Sequence, residues 1–196
     1  MQFDVSSLQT ETIKEDADYQ GVRVRFNGVL GVARVTVQLD IGFDDVLVPG
    51  ATRADFPTLL ELPAPKLLCY SRESAIAEKF EAMVKLGDLN SRMKDFYDIW
   101  LLACQFDFDA DLLFEAITQT FQHRGTSLPT ELPFKGDFVA LKQNQWRAFH
   151  KRLNAAHVPE ALGEICRVLE GFLDVFLHRG AISSARYWQA SGTWSQ

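Results

Sequence analysis

Residues 34–43, RVTVQLDIGF, alternate without a break. Val35, Val37, Leu39, Ile41 and Phe43 fall on one side of an extended chain. Arg34, Thr36, Gln38, Asp40 and Gly42 fall on the other. A period of two over this length is the signature of a strand with one apolar and one polar face. GVRVRF at 21–26 repeats the pattern, with Val22, Val24 and Phe26 opposite Arg23 and Arg25. Asn27–Gly28 is a turn signal between the two runs. The spacing predicts a half-buried hairpin over 21–43, within a first forty residues that read as β. Its polar face places Asp40 on a stiff backbone. Asp is disfavoured in strands, so Asp40 reads either as a solvent-facing acid or as a ligand for a hard cation such as Mg²⁺.

Residues 44–71 hold four of the seven prolines and predict an irregular connecting arm. Helical spacing follows. Residues 72–86 place Ile76, Phe80, Met83 and Val84 on one side, and Gly87 is a natural stop. A second helix opens at Asn90 or Ser91 as N-cap. Further helices are predicted at 110–122, 136–153 and 159–178, the last with Pro159 in its first turn. The terminal SSARYWQASGTWSQ reads as a loose tail. The fold class is α+β: a small antiparallel β part, then a mainly helical C-terminal portion. The two regions are 1–71 and 72–196.

Composition narrows the function classes. At 196 residues and 47% hydrophobic content the chain can bury a real core. The net charge is -6 and no Lys/Arg run stands out, so bulk charge offers no case for tight nucleic-acid binding. A local basic groove stays open as an idea. Cys69, Cys104 and Cys166 are widely spaced and form no CxxC or Cys/His cluster, which predicts free thiols in a reducing compartment. The first residues lack the basic and apolar regions of a signal peptide. No apolar run approaches the roughly 20 residues that span a bilayer. The expectation is a cytoplasmic protein with no membrane partner.

The segment NSRMKDFYDIW, 90–100, sets Arg92, Lys94, Asp95 and Asp98 among large apolar side chains. On a helix, Met93, Phe96, Tyr97, Ile99, Trp100 and Ala103 make a broad apolar surface. Lys94, Asp95 and Asp98 share an arc on the opposite side, with Arg92 just beyond it. Lys94–Asp98 is an i,i+4 pair and Arg92–Asp95 an i,i+3 pair. The ridge reads either as structural ion pairs or as the polar floor of a site. Lys79, beside the Ile76–Phe80–Met83 stripe, reads as a snorkelling lysine or as a phosphate clamp. Glu78 is expected to be solvated.

Together, LDIGFDD, SAIAEKFEAMV and NSRMKDFYDIWLL resemble the nucleotidyltransferase-like toxins of the AbiEii/AbiGii abortive-infection family. These are the toxin halves of bacterial type IV toxin–antitoxin pairs. The resemblance runs from about Val5 to Arg152. Its most specific element is the RxKDxxD arrangement of Arg92, Lys94, Asp95 and Asp98, with the AEK block upstream. It implies a branch of the DNA polymerase β nucleotidyltransferase superfamily, which transfers a nucleotidyl group from an NTP with Mg²⁺ bridging carboxylates and phosphates. By the same resemblance Asp40 is the third metal acid and Lys79 contacts nucleotide phosphate. Asp95 and Asp98 are the late acids, and Arg92 and Lys94 belong to the nucleotide-binding surface.

One departure matters. No Gly-Ser or Gly-Gly helix start followed by an Asp-x-Asp pair lies upstream of Asp40; the Asp16–Ala17–Asp18 there follows no such start. Asp109 and Asp111 have that spacing but follow Asp40 and begin a helix. The resemblance thus implies a truncated or split family member with a residual NTP- and Mg²⁺-binding surface, not catalytic alone. Its partners would be a nucleotide, a cognate antitoxin and a second copy of itself through the hairpin edge. The sequence names no RNA or protein acceptor. The alternative is a non-enzymatic binding or interaction module whose charges are structural ion pairs.

Overall fold

The computed structural model describes residues 1–15, 19–43, 45–178, 186–190 and 192–195. The chain divides into two compact units, Met1–Asp45 and Val46–Gln196.

The first unit is an antiparallel three-stranded sheet of order β1-β2-β3, with β1 Gln2–Glu15, β2 Tyr19–Leu30 and β3 Ala33–Gly42. The alternation of 21–26 and 34–43 survives in the register, where Val22 opposes Ile41, Val24 opposes Leu39 and Phe26 opposes Val37. The turn does not fall at Asn27–Gly28. Both residues stay in β2, opposite Thr36 and Val35. The chain reverses between the paired Leu30 and Ala33, where Gly31 has φ of 61°, a conformation that suits glycine. Gly28 serves a different purpose, since a Cβ there would meet Met1 and Phe3. The register of β1 shifts between Asp4 and Gln9. Asp4 spends its carboxylate locally there, accepting from the Ser6 N–H at 3.0 Å. The apolar face expected to be half-buried is largely open: Val35, Leu39, Ile41 and Phe43 are all exposed.

The second unit is mainly helical, so the α+β class holds across the chain. Its arm contains more order than its prolines suggest. A short hairpin of β4 Thr52–Asp55 and β5 Lys66–Cys69 pairs Thr52 with Cys69 and Asp55 with Lys66. Among the described residues, five α-helices follow: α1 Arg72–Leu86, α2 Met93–Gln105, α3 Ala110–His123, α4 Phe138–Leu153 and α5 Leu162–Leu173. The predicted 159–178 helix is thus shorter, starting after Ala161 and ending in a 3₁₀ turn at Asp174–Phe176. Pro159 lies before it, and its carbonyl accepts the Trp146 Nε1–H at 3.1 Å. Asp109 caps α3 by accepting the Leu112 N–H at 2.9 Å, which accounts for one acid of the Asp-x-Asp lookalike.

The supposed tail, where described, is a working part of the core. β6 Phe108–Asp109, β7 Tyr187–Gln189 and β8 Thr193–Ser195 form a small antiparallel sheet. Trp188 is buried, donates from Nε1 to the Ala103 carbonyl at 2.7 Å, and meets the Phe172 ring edge-on at 4.8 Å. Cys166 is buried in the same unit, and desolvation, helped by the Glu170 charge, pushes its thiol up to about 12. No helix among the described residues is long and apolar enough to cross a membrane.

Candidate functional site

Two short segments build the site, and each has a local reason to fold as it does. Ser71 caps α1 by accepting the Ser74 N–H at 3.0 Å, and its hydroxyl donates to the Val48 carbonyl at 2.8 Å. Ile76, Ala77, Phe80 and Met83 then bury one side of α1, and Gly87 closes it with φ of 48°. α2 begins one or two residues later than expected. Arg92 occupies the cap position and makes no side-chain cap bond. Asn90 lies upstream and accepts the Arg92 N–H on Oδ1 at 2.8 Å, a turn just before the helix rather than its cap.

α1 runs against α2, and this brings the predicted charges of the second unit together. Lys79 Nζ lies 2.8 Å from Asp98 Oδ2 and 3.3 Å from Asp95 Oδ1. Arg92 Nε reaches Asp95 Oδ2 at 2.7 Å, and Lys94 Nζ reaches Asp98 Oδ2 at 2.5 Å. The i,i+3 and i,i+4 pairs therefore form as the spacing predicts. Asp95 departs from the expected ridge on the side away from the core. Its side chain is only 4% exposed. The helical wheel of α2 cannot register that α1 covers this arc and lays Lys79 over it.

Burial opposes the charge on Lys79, but the Asp98 hydrogen bond and the charges of Asp98 and Asp95 outweigh it. They hold the ammonium above the ordinary lysine range. The result is three cations around two carboxylates, with Arg92 and Lys94 reaching well into solvent. A surface of this kind is suited to a phosphate chain: its acids are already neutralised and its outer groups are donors.

Asp40 belongs to the first unit. Its carboxylate is gripped at both oxygens by Arg23, Nε to Oδ1 at 2.7 Å and Nη2 to Oδ2 at 2.9 Å. The hydrogen bond from Arg23 is the main reason its pKa lies below the usual carboxylate value. Arg23 and Arg25 both also approach Glu11 Oε1, at 3.5 and 3.3 Å. The arrangement does not fit a divalent cation. Each site acid already holds a cationic side chain, and no group of three metal-ligating side chains occurs among the described residues.

Sequence reading missed a second charged cluster on α1. Glu81 is buried and accepts from Arg124 Nη1 at 3.1 Å and from the Thr126 hydroxyl. Glu78 is not simply solvated, since Arg124 Nη2 lies 3.7 Å from its Oε2. The available signal was an acid at 81, four residues after Ala77 and next to Phe80 in an apolar stripe.

A model of the family described as nucleotidyl transferase AbiEii toxin, type IV TA system, matches residues 2–175. No curated protein and no solved structure gave a significant match.

Proposed function

The chain belongs to the AbiEii nucleotidyl transferase toxin family of type IV toxin–antitoxin systems, and on that premise we propose that its α1–α2 ridge is a nucleotide-phosphate site. The observation that carries this reading is the Lys79 ammonium lying between Asp95 and Asp98, with Arg92 and Lys94 on its flanks. Lys79, Arg92 and Lys94 take the phosphate oxygens. Asp95 and Asp98 hold those three heads in place, and neither needs to leave its partner for a phosphate to bind. Family membership implies a cognate antitoxin, and the reading places the protein in the cytoplasm.

Nucleotidyl transfer has an acceptor hydroxyl attack the α-phosphorus while pyrophosphate leaves. The family reading asks for three metal carboxylates behind a Gly-Ser or Gly-Gly helix start; this chain offers Asp40, held by Arg23, and its Asp16–Ala17–Asp18 follows no such start and lies outside the described residues. We derive no metal-dependent step from these residues. The reading is a residual site that binds NTP but does not turn over alone, the missing helix start and its acid pair coming from another segment or polypeptide. The purified chain then transfers no label from NTP to RNA or protein in the presence of Mg²⁺. Turnover abolished by Asp40→Ala would overturn that part.

Binding is tested by calorimetry at low salt. The expected affinity is about millimolar to high micromolar, roughly -4 to -6 kcal/mol, weakening as salt screens the phosphates. Lys79→Ala is expected to weaken it at least fivefold. An unchanged affinity in that variant, or no binding of any NTP, refutes the site. The second reading, an interaction module with structural ion pairs, draws on the same geometry, because each of the five charges already has an oppositely charged neighbour. It predicts the null result.

A further inference from the structure

α1 is gripped on two sides. Lys79 faces α2, while Glu81, two residues on and about 200° around the helix, faces the end of α3. We infer that Glu81 is a positioning residue for the Lys79 site, fixing the rotation of α1 through Arg124 and Thr126. The inference concerns the same ridge and deepens the nucleotide-site reading.

Glu81 has a side chain 2% exposed, with its two oxygens divided between Arg124 Nη1 at 3.1 Å and the Thr126 hydroxyl. A buried carboxylate is a costly way to fasten two helices that already share Phe80, Phe121 and Ile117 in one apolar cluster. What it adds over an apolar contact is direction. Hydrophobic contacts tolerate sliding and rotation, whereas a carboxylate bonded at both oxygens holds one orientation. Glu78 adds to the grip, one turn earlier on the same guanidinium, with 3.7 Å to Arg124 Nη2.

The leverage is easily estimated. A side-chain head lies roughly 5–6 Å from its helix axis, so a rotation of about 20° carries it by about 2 Å. Lys79 reaches its carboxylates across only 2.8 and 3.3 Å. A shift of that size takes the ammonium out of hydrogen-bond range. The orientation of the ridge is thus set partly by groups that never touch it. Arg124 follows the last residue of α3, where its N–H bonds the Thr120 carbonyl at 3.0 Å, and Thr126 is tied back by its N–H to the Phe121 carbonyl at 2.9 Å. The anchor is therefore itself fixed.

The test reads the Lys79 amine directly and needs no nucleotide. The full chain is pulse-acetylated at pH 8, and Lys79 labelling is measured by mass spectrometry relative to exposed Lys151. In the wild type Lys79 is expected to label slowly. Glu81→Gln is expected to raise the Lys79:Lys151 ratio at least threefold. Thr126→Val, a milder change that keeps the Arg124 pair, is expected to raise it about twofold and carries the test if Glu81→Gln does not fold. Leu169→Ala, in the core of α5, controls for general loosening and is expected to leave the ratio unchanged. An unchanged ratio in the folded Glu81 or Thr126 variant, or an equal rise in Leu169→Ala, overturns the proposal. Loss of nucleotide binding bears only on the function of the ridge, so the two failures are distinguishable.

Discussion

The Lys79 ammonium and the Asp98 carboxylate meet at 2.8 Å, from residues nineteen positions apart on two different helices. Asp95, one turn before Asp98, shares the same ammonium at 3.3 Å. The pair is thus both a tie between α1 and α2 and the centre of the charged ridge.

Removing the ammonium leaves Asp95 buried with Arg92 as its one cationic partner among the described residues. Breaking a buried pair from one side costs more than the pair was worth, because a desolvated charge is left behind. Lys79→Met is expected to destabilise the protein by about 3 kcal/mol. Asp98→Asn, at a more open position that keeps a neutral acceptor, should cost about 1 kcal/mol. Urea unfolding of both variants checks the order. A larger loss from Asp98→Asn would place the burden on the wrong acid.

The same ammonium gives an alkaline signature. Its folded-state pKa is raised above the ordinary lysine value of 10.5, despite the opposing effect of burial, by Asp98 and Asp95. A raised folded pKa means that the native state holds the proton more tightly than the unfolded chain. The stability from Lys79 is therefore fully present below about 10.5 and is lost as pH rises through the folded value. Other groups titrate in that window, so the quantity to measure is the gap between wild type and Lys79→Met. That gap should stay flat from pH 7 to 10 and close above it. A gap that widens with pH would mean the sign is wrong.

The helices were legible because each carries its own period, as Ile76, Phe80 and Met83 do on α1. The i,i+3 and i,i+4 pairs of α2 were legible for the same reason. What local pattern could not show was contact between distant segments. Asp95 looked outward because its burial depends on α1. Glu81 meets Arg124 from 43 positions away, with no spacing rule to connect them. The strands at 187–189 and 193–195 are three residues each, too short for a period, and only their tryptophans hinted at a core role. At Asn27–Gly28 a good turn dipeptide lost to continued strand pairing, and the reversal moved to Gly31.

Those tryptophans lead to a stability prediction. Trp188 is 1% exposed, lies against Phe172 and Trp194, and donates to the Ala103 carbonyl at the end of α2. Truncation leaves a large cavity and an orphaned acceptor, so Trp188→Ala should cost about 3–5 kcal/mol. Trp188→Phe keeps most of the ring and loses the donor, at about 1–3 kcal/mol. Thermal unfolding separates the two. A loss below 1 kcal/mol in Trp188→Ala would return the segment to the status of a loose tail.

The sheet of the first unit carries a different demand. Among the described residues β3 pairs only with β2, which leaves its outer edge of backbone donors and acceptors without a strand partner in the sheet order β1-β2-β3. Its apolar face is open as well, with Leu39 49% and Phe43 56% exposed. Among the described residues, 11 of the 21 exposed large hydrophobic residues lie in this unit, so uncovered apolar surface is concentrated there. Water can satisfy the edge, but contiguous Val, Leu, Ile and Phe surface gains by being covered. A second copy presents the same edge and face at the same concentration, and strand addition joins both through one symmetric contact. The expected outcome is self-association at micromolar concentration by light scattering, with slow amide exchange along 34–41. Leu39→Lys places a charge on the apolar face and leaves the residues of the α1–α2 ridge unaltered, and it should shift the population to monomer. A wild-type chain that stays monomeric at these concentrations, with fast exchange along β3, would show that the sheet tolerates its exposure and that no second copy is required.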